Sequence, residues 1–248
     1  MNNPAQCFSP QSRFVYLPVV ASTNDVARDP ALRHGDLVVA GQQQRGRGQQ
    51  GNAWWSEPER NLTFSLVLEP QFLPAGLQFQ LLEAVSLGVA DALAGFGLDP
   101  RIKWPNDILI DGGKVAGILI EHDLSGMKLV RSIVGIGLNV NQKRFPPELP
   151  AAVSMAQVAG RTFDRAKVLE SLCCCICHHY HALEQGETDR LAHDYHARLY
   201  RLNEPATYRT PADGLFTGIL RGVGEAGELQ VEHADGRVRE YLFKEIGL

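Results

Sequence analysis

Apolar and polar positions along the chain fall into two textures that meet near residue 200. In the first, residues 14–20 read as a strand. Ser22, Thr23, Asn24 and Asp25 then supply helix-capping side chains ahead of a short helix interrupted near Pro30. Residues 36–41 form a second strand, and residues 61–68 alternate as a half-buried strand does. The spacing of Phe79, Leu82, Val85, Val89, Leu93 and Phe96 predicts a helix over 77–96 with one apolar face, ended by Gly95 and Gly97. Short β-like runs follow at 101–104, 108–110, 114–121 and 129–140, with Asp111-Gly112-Gly113 as a hairpin turn. Successive hairpin-linked strands predict a mixed, mostly antiparallel sheet with helices packed on it, an α+β fold and not a doubly wound one. Residues 145–160 read as irregular. Asp164 caps a helix to about residue 185, and another spans roughly 188–200. After Asn203 the texture is strand-like pieces, 215–221, 229–233 and 238–243, between glycine-rich turns. These predict a small β-barrel. The expected division is residues 1–200 as one domain and 201–248 as a small β-domain.

Composition narrows the function. With 44% hydrophobic and 21% charged residues in 248, a sizeable core can form. A net charge of −4 argues against a general nucleic-acid binder while leaving room for a local cationic pocket. Four of the five cysteines crowd at 173, 174, 175 and 177, an arrangement that fits no disulfide framework and suits a reduced, intracellular chain. Residues 1–13 lack the apolar core of a signal peptide, and no apolar run approaches the ~18 residues of a membrane span. The expectation is a soluble, cytoplasmic protein that engages no membrane. Cys173, Cys177 and His181 have a spacing that metal ligands use. Leu169, Leu172, Ile176, Tyr180 and Leu183 define a core stripe there, however, and favour cysteine as a small buried hydrophobe.

Four segments carry candidate chemistry. Gly46, Gly48 and Gly51 spell G-x-G-x-x-G after a strand, but Asn52-Ala53-Trp54-Trp55-Ser56-Glu57-Pro58 is a poor helix, so the dinucleotide fingerprint lacks its context. A mobile cationic loop able to fold over an anion is the better reading. Lys103-Trp104-Pro105-Asn106-Asp107 places an amide and a carboxylate at a strand end, where an ordinary turn would use the same residues. Lys114 opens an apolar strand and calls for an anionic partner, unless it simply points to water. Ala116 and Gly117 clear room beside it, and Gly135 and Gly137 interrupt another apolar strand that leads to Asn139.

In order, the chain reads Ser22-Thr23-Asn24, Gln43-x-x-Gly46-Arg47-Gly48-x-x-Gly51-x-x-Trp54, Lys103-Trp104-Pro105-Asn106-Asp107, Gly113-Lys114-x-x-Gly117-Ile118-Leu119-x-Glu121, and Gly135-x-Gly137-x-Asn139. This resembles the biotin–protein ligases, from about Phe14 to the end. The resemblance implies a class II synthetase-like catalytic domain with a C-terminal SH3-like β-barrel. It implies activation of biotin with MgATP to biotinyl-5′-AMP and pyrophosphate, then transfer to one lysine of a biotin carboxyl carrier domain of a biotin-dependent carboxylase. It assigns Ser22, Thr23, Asn24 and Gln43 to biotin, with Gly46, Arg47, Gly48 and Gln49 ordering over the ligand and Arg47 facing carboxylate and phosphate. Lys114 bridges the carboxylate and α-phosphate, and Gly117, Gly135 and Gly137 floor the pocket. Trp54 and Asn139 contact adenine; Lys103 and Asn106 belong to the nucleotide side. Asp107 binds Mg²⁺, positions charge, or serves as base for the incoming lysine. The loop departs from the family in carrying Gln49, Gln50 and Asn52 where arginines are frequent, which lowers its charge. The roughly twenty residues before Ser22 leave no room for a helix-turn-helix, so no DNA partner is expected. Exposed sheet edges permit a homodimer. The alternatives are a lipoate or octanoate ligase or transferase of the same fold, or a nucleotide-binding module without catalysis.

Overall fold

The structure, a computed structural model, describes residues 3–211 and 214–247. A seven-stranded sheet carries the first part of the chain, in the order β1 (Phe14–Val20), β2 (Leu37–Gln43), β5 (Leu62–Leu68), β9 (Lys128–Leu138), β8 (Gly113–Ser125), β7 (Asp107–Ile110), β6 (Pro100–Lys103). Only β1 and β2 run parallel, with α1 (Thr23–Ala27) between them; every other neighbour is antiparallel. The mixed, mostly antiparallel sheet is thus as the hairpin-linked pattern predicted. Asp111 and Gly112 both take positive φ, 50° and 76°, in the two-residue turn joining β7 to β8. That is the geometry in which Asp-Gly matches the twist of the flanking strands.

Two differences from the periodicity have one cause. Strand β5 is buried at every position, not at alternate ones. Helix α2 (Gln78–Gly95) is buried around most of its circumference. The sheet is covered on both faces. Ala27 and Leu32 pack with Val38, Val67 and Ile133 on one side. On the other, α2 lies beneath α4 (Arg165–Glu184) and α5 (Thr188–Ala197). At the crossing of α2 and α4 a side chain on Gly88 would sit 2.6 Å from the Ile176 backbone, so only glycine permits this approach. Residues 75–95 are the one described helical stretch long and apolar enough to cross a membrane, and 72% of its most apolar 18-residue window is buried inside the fold.

Asp164 caps α4 by accepting from the Ala166 amide. Ser22 occupies the cap position of α1, yet its side chain makes no capping bond. Within 145–160, expected to be irregular, α3 (Met155–Ala159) forms through reciprocal bonds between Ser154 and Gln157. Ser-x-x-Gln before an apolar run is a capping signature.

The second texture folds as a four-stranded antiparallel sheet, β10 (Pro205–Thr210), β11 (Gly214–Val223), β12 (Leu229–Glu232), β13 (Val238–Tyr241), in sequential order. Strand β10 was not anticipated. This is the small β-domain the sequence led us to expect; among the described residues its sheet ends at β10 and β13 without closing on itself. It rests on the first part of the chain through Phe79, whose ring occupies the space a side chain on Gly227 would need.

Candidate active site

Lys103 and Asp107 face each other across the β6–β7 hairpin, with Trp104-Pro105-Asn106 as its loop. The hairpin is pinned from within. The Asn106 side chain donates to the Ile118 carbonyl at 2.6 Å, and the Ile118 amide donates back to the Asn106 carbonyl at 3.0 Å. On the adjoining strand Lys114 points its ammonium at Asp107, Nζ to Oδ1 2.6 Å, in a pair about one-third exposed. The anionic partner that an apolar strand demands of its lysine is therefore Asp107. The Lys114 backbone is equally fixed: its amide donates to Ala151, and its carbonyl accepts from Val153.

The glycine segment is a small hairpin, where a strandless loop was expected. Strand β3 (Gly46–Arg47) pairs with β4 (Ala53–Trp54) around a 3₁₀ turn, Gln49–Gly51. The side chain of Gln50 lies outside those described. A side chain on Gly46 would collide with the Trp54 carbonyl. Arg47 reaches Asp25 at 2.8 Å and Glu121 at 3.1 Å. Glu121 also accepts from Asn24 at 2.8 Å and Arg28 at 2.9 Å. Burial opposes its ionisation, but the bonds from Asn24 and Arg28 and the charge of Arg47 hold its carboxyl below the usual range. Glu121, given no role by the sequence, is the latch that docks Arg47 on the sheet.

The glycines of β8 and β9 each receive a side chain from elsewhere in the chain. Gly117 and Gly137 are cross-strand partners, and the Trp54 ring lies on both. A side chain on Gly137 would run into the indole, and one on Gly117 would press it at 3.2 Å. A side chain on Gly135 would collide with Asn24 Oδ1. The missing side chains make room first for Trp54 and Asn24, and through them for a ligand. Lys114 Nζ lies 5.8 Å from the centre of the Trp54 ring, a cation–π approach.

At the other end, Gln43 Oε1 accepts from the Thr23 amide at 2.8 Å and its hydroxyl at 3.2 Å, while Ser65 donates toward Thr23 and Asn24. A cavity of about 390 Å³ connects these groups. Of the predicted residues, Ser22, Thr23, Asn24, Gln43, Arg47, Gly48, Gln49, Trp54, Lys103, Asn106, Asp107, Lys114, Gly117, Gly135 and Gly137 line it. Gly46 and Asn139 do not. Asn139 is buried where β9 ends; its amide donates to Val153 at 3.1 Å, and its Oδ1 has no hydrogen-bond partner. Sequence reasoning missed Leu229, Phe243, Ile246 and Gly247, which close the far end. The Trp104 indole donates to the Gly227 carbonyl at 3.0 Å and stands edge-on to Phe243, joining that end to the second sheet. Two buried polar atoms of the lining, Trp54 Nε1 and Gln49 Oε1, have no hydrogen-bond partner.

On the α4 stripe no group of three His, Cys, Asp or Glu is arranged to hold a metal among the described residues. Cys173 and Cys177 are buried in the core cluster, as the hydrophobic reading expected.

A polar cradle, a paired lysine and an arginine-bearing hairpin share one cavity on an antiparallel sheet, the equipment of an enzyme that activates a small carboxylate. Residues 16–139 match the Biotin/lipoate A/B protein ligase family. The chain is 34% identical over 240 residues to the Bifunctional ligase/repressor BirA of Bacillus spizizenii, covering 92% of this chain and 71% of that protein. It is 33% identical over 216 residues to the Biotin–[acetyl-CoA-carboxylase] ligase of Paracoccus denitrificans, covering 84% and 88%. Among solved structures, the biotin protein ligase from Aquifex aeolicus in complex with biotin and ATP superposes with a TM-score of 0.81 at 30% identity, covering 95% and 97%. The chain belongs to the biotin/lipoate A/B protein ligase family.

Proposed function

We infer that this chain is a biotin–protein ligase, and the observation that carries the residue-level reading is the Lys114–Asp107 pair in one cavity with Arg47, Thr23 and Gln43. The enzyme binds biotin and ATP. A biotin carboxylate oxygen attacks the α-phosphorus of ATP, the bond to pyrophosphate breaks, and biotinyl-5′-AMP forms. Two anions must meet, and fixed cations in a sheltered site lower that barrier. Lys114 and Arg47 supply them. Of the three roles open to Asp107, charge positioning fits best, because its carboxylate already holds the Lys114 ammonium and leaves the remaining N–H donors for substrate oxygens. Asp107 is the only carboxylate lining the cavity among the described residues, so the donor set does not form a resident Mg²⁺ cage. Mg²⁺ then enters with the ATP phosphates as part of the substrate, the usual way this ion is held.

The ureido ring of biotin carries N–H donors and a carbonyl acceptor, which complement Gln43 Oε1 and the hydroxyls of Ser22 and Thr23. A dithiolane offers neither those donors nor that acceptor and gains none of these bonds, so the site favours biotin over lipoate. Trp54 Nε1 and Gln49 Oε1, buried in the lining without a partner, are the polar atoms we assign to the adenylate. In the second half-reaction a lysine amine of the acceptor attacks the mixed anhydride carbonyl and AMP leaves. We take the acceptor to be the carboxyl carrier domain of a biotin-dependent carboxylase. Residues 201–248 act as a small separate domain closing the nucleotide end. The exposed edge β1, with Phe14, Tyr16 and Val19 outward, is where a second copy would pair.

Incubating a purified carrier domain with the enzyme, MgATP and either biotin or lipoate, followed by intact-mass measurement, tests the reading. One biotin on one lysine is expected. A lipoyl adduct formed in preference would overturn it.

A further inference from the structure

The cysteines of α4 acquire a partner that their own spacing hides. The 3₁₀ turn Pro4–Cys7 packs on α4 and sets Cys7 against the helix. Cys177 Sγ donates to the Cys7 carbonyl at 2.9 Å, and His181 Nδ1 lies 3.8 Å from the same sulfur. Cys7 is half-buried, Cys177 buried, and Cys174, one helical turn earlier, exposed. All five thiols are free, and none of these three lines the cavity of the ligase site. The Cys7 thiol beside it holds the Cys177 thiol below its ordinary range, against the effect of burial. A sulfur near a proton acceptor with a second thiol against it is the arrangement that thiol–disulfide exchange requires.

We propose that Cys7 and Cys177 form a modification site for low-molecular-weight disulfides, which closes a disulfide tying the N-terminal turn to α4. The Cys177 thiol passes its proton to His181, and the thiolate attacks the reagent R–S–S–R; the reagent's S–S bond breaks, a Cys177–S–S–R bond forms, and RS⁻ leaves and takes the proton from His181. Cys7, whose own ionisation its bond to Cys177 opposes until that sulfur is capped, then attacks Cys177 Sγ and gives its proton to the departing thiolate. The second RS⁻ leaves, the Cys7–Cys177 bond forms, and the two cysteines have given two electrons to the reagent.

The test treats the full-length protein with cystamine, quenches free thiols, and maps tryptic peptides without reduction. Cleavage after Arg13 puts Cys7 on one peptide, and the four α4 cysteines share the peptide between Lys167 and Arg190. A Cys7 peptide joined to the α4 peptide, released by reductant, is expected in the wild type and in Cys174→Ser, and lost in Cys177→Ser. A disulfide confined to the α4 peptide, mixed cystamine adducts alone, or a Cys7 cross-link surviving in Cys177→Ser would each overturn the proposal. Fragmentation of the linked wild-type peptide assigns the α4 cysteine directly, so the proposal is decided even if a variant folds poorly, and a link to Cys173, Cys174 or Cys175 overturns it.

Discussion

Gly137 shows how a single missing side chain can build a site. Its hydrogen faces the Trp54 indole, and the paired Gly117 completes the seat. Gly137→Ala must displace the ring from Lys114, at a cost typical of overpacking, about 1–3 kcal/mol. Isothermal titration should show biotin and ATP affinity falling about tenfold or more; unaltered affinity would mean the seat is unimportant. Gln49 offers the opposite experiment. It stands where the family often has an arginine, and a charged hydrogen bond to phosphate adds about 1.5–3 kcal/mol. Gln49→Arg should slow the release of labelled biotinyl-5′-AMP, and an unchanged rate would remove charge as the reason this loop holds its adenylate as it does. At this scale the sequence was informative where chemistry is local. A lysine in an apolar strand implied an anion, and Asp107 lay just across the hairpin. The occupants of the glycine gaps were not readable, because Trp54 and Asn24 come from distant parts of the chain. A polar residue after a glycine-rich strand, such as Asn139, has the same signature whether it faces a ligand or clamps the next segment.

Among the elements, long strands and helices followed the apolar spacing, while the faces they bury did not. Periodicity reports one covered face; β5 and α2 are covered on both sides, so their inner polar positions are enclosed too. Glu83 on α2 is the clearest consequence. It is buried beside Tyr195, pairs with no cation among the described salt bridges, and burial pushes its carboxyl up to about 7. A carboxyl whose folded pKa is raised keeps its proton in the native state after the unfolded chain has lost it. Its contribution is therefore fully present below about 4.5 and is lost as pH rises toward 7. Glu83→Gln should leave the melting temperature nearly unchanged at pH 4.5 and raise it at pH 8, where removing the buried charge recovers about 2–3 kcal/mol. Equal shifts at both pH values would show that Glu83 is not held protonated. The glycine hairpin β3–β4 was hidden for a different reason. Its two-residue strands are set by Arg47 docking on Glu121 and by the seat of Trp54, contacts that local propensity does not carry.

For the molecule as a whole, the sheet brings together three polar segments that the chain separates, and the second sheet closes the cavity over them. The first was foreseeable, since hairpin-linked strands stack their ends side by side. The second was not: Leu229, Phe243, Ile246 and Gly247 bear no motif, and only the Trp104 contact with Gly227 and Phe243 shows why they belong to the site. The account rests on Lys114, aimed by Asp107, as the cation that lets biotin and ATP react. Biotin-dependent exchange of labelled pyrophosphate into ATP reads that half-reaction without any acceptor protein. The wild type should exchange only when biotin is present, and Lys114→Ala, with its fold intact, should lose about 10²–10³-fold of the rate. Exchange that proceeds without biotin, or a Lys114→Ala variant that exchanges at nearly the wild-type rate, would contradict it.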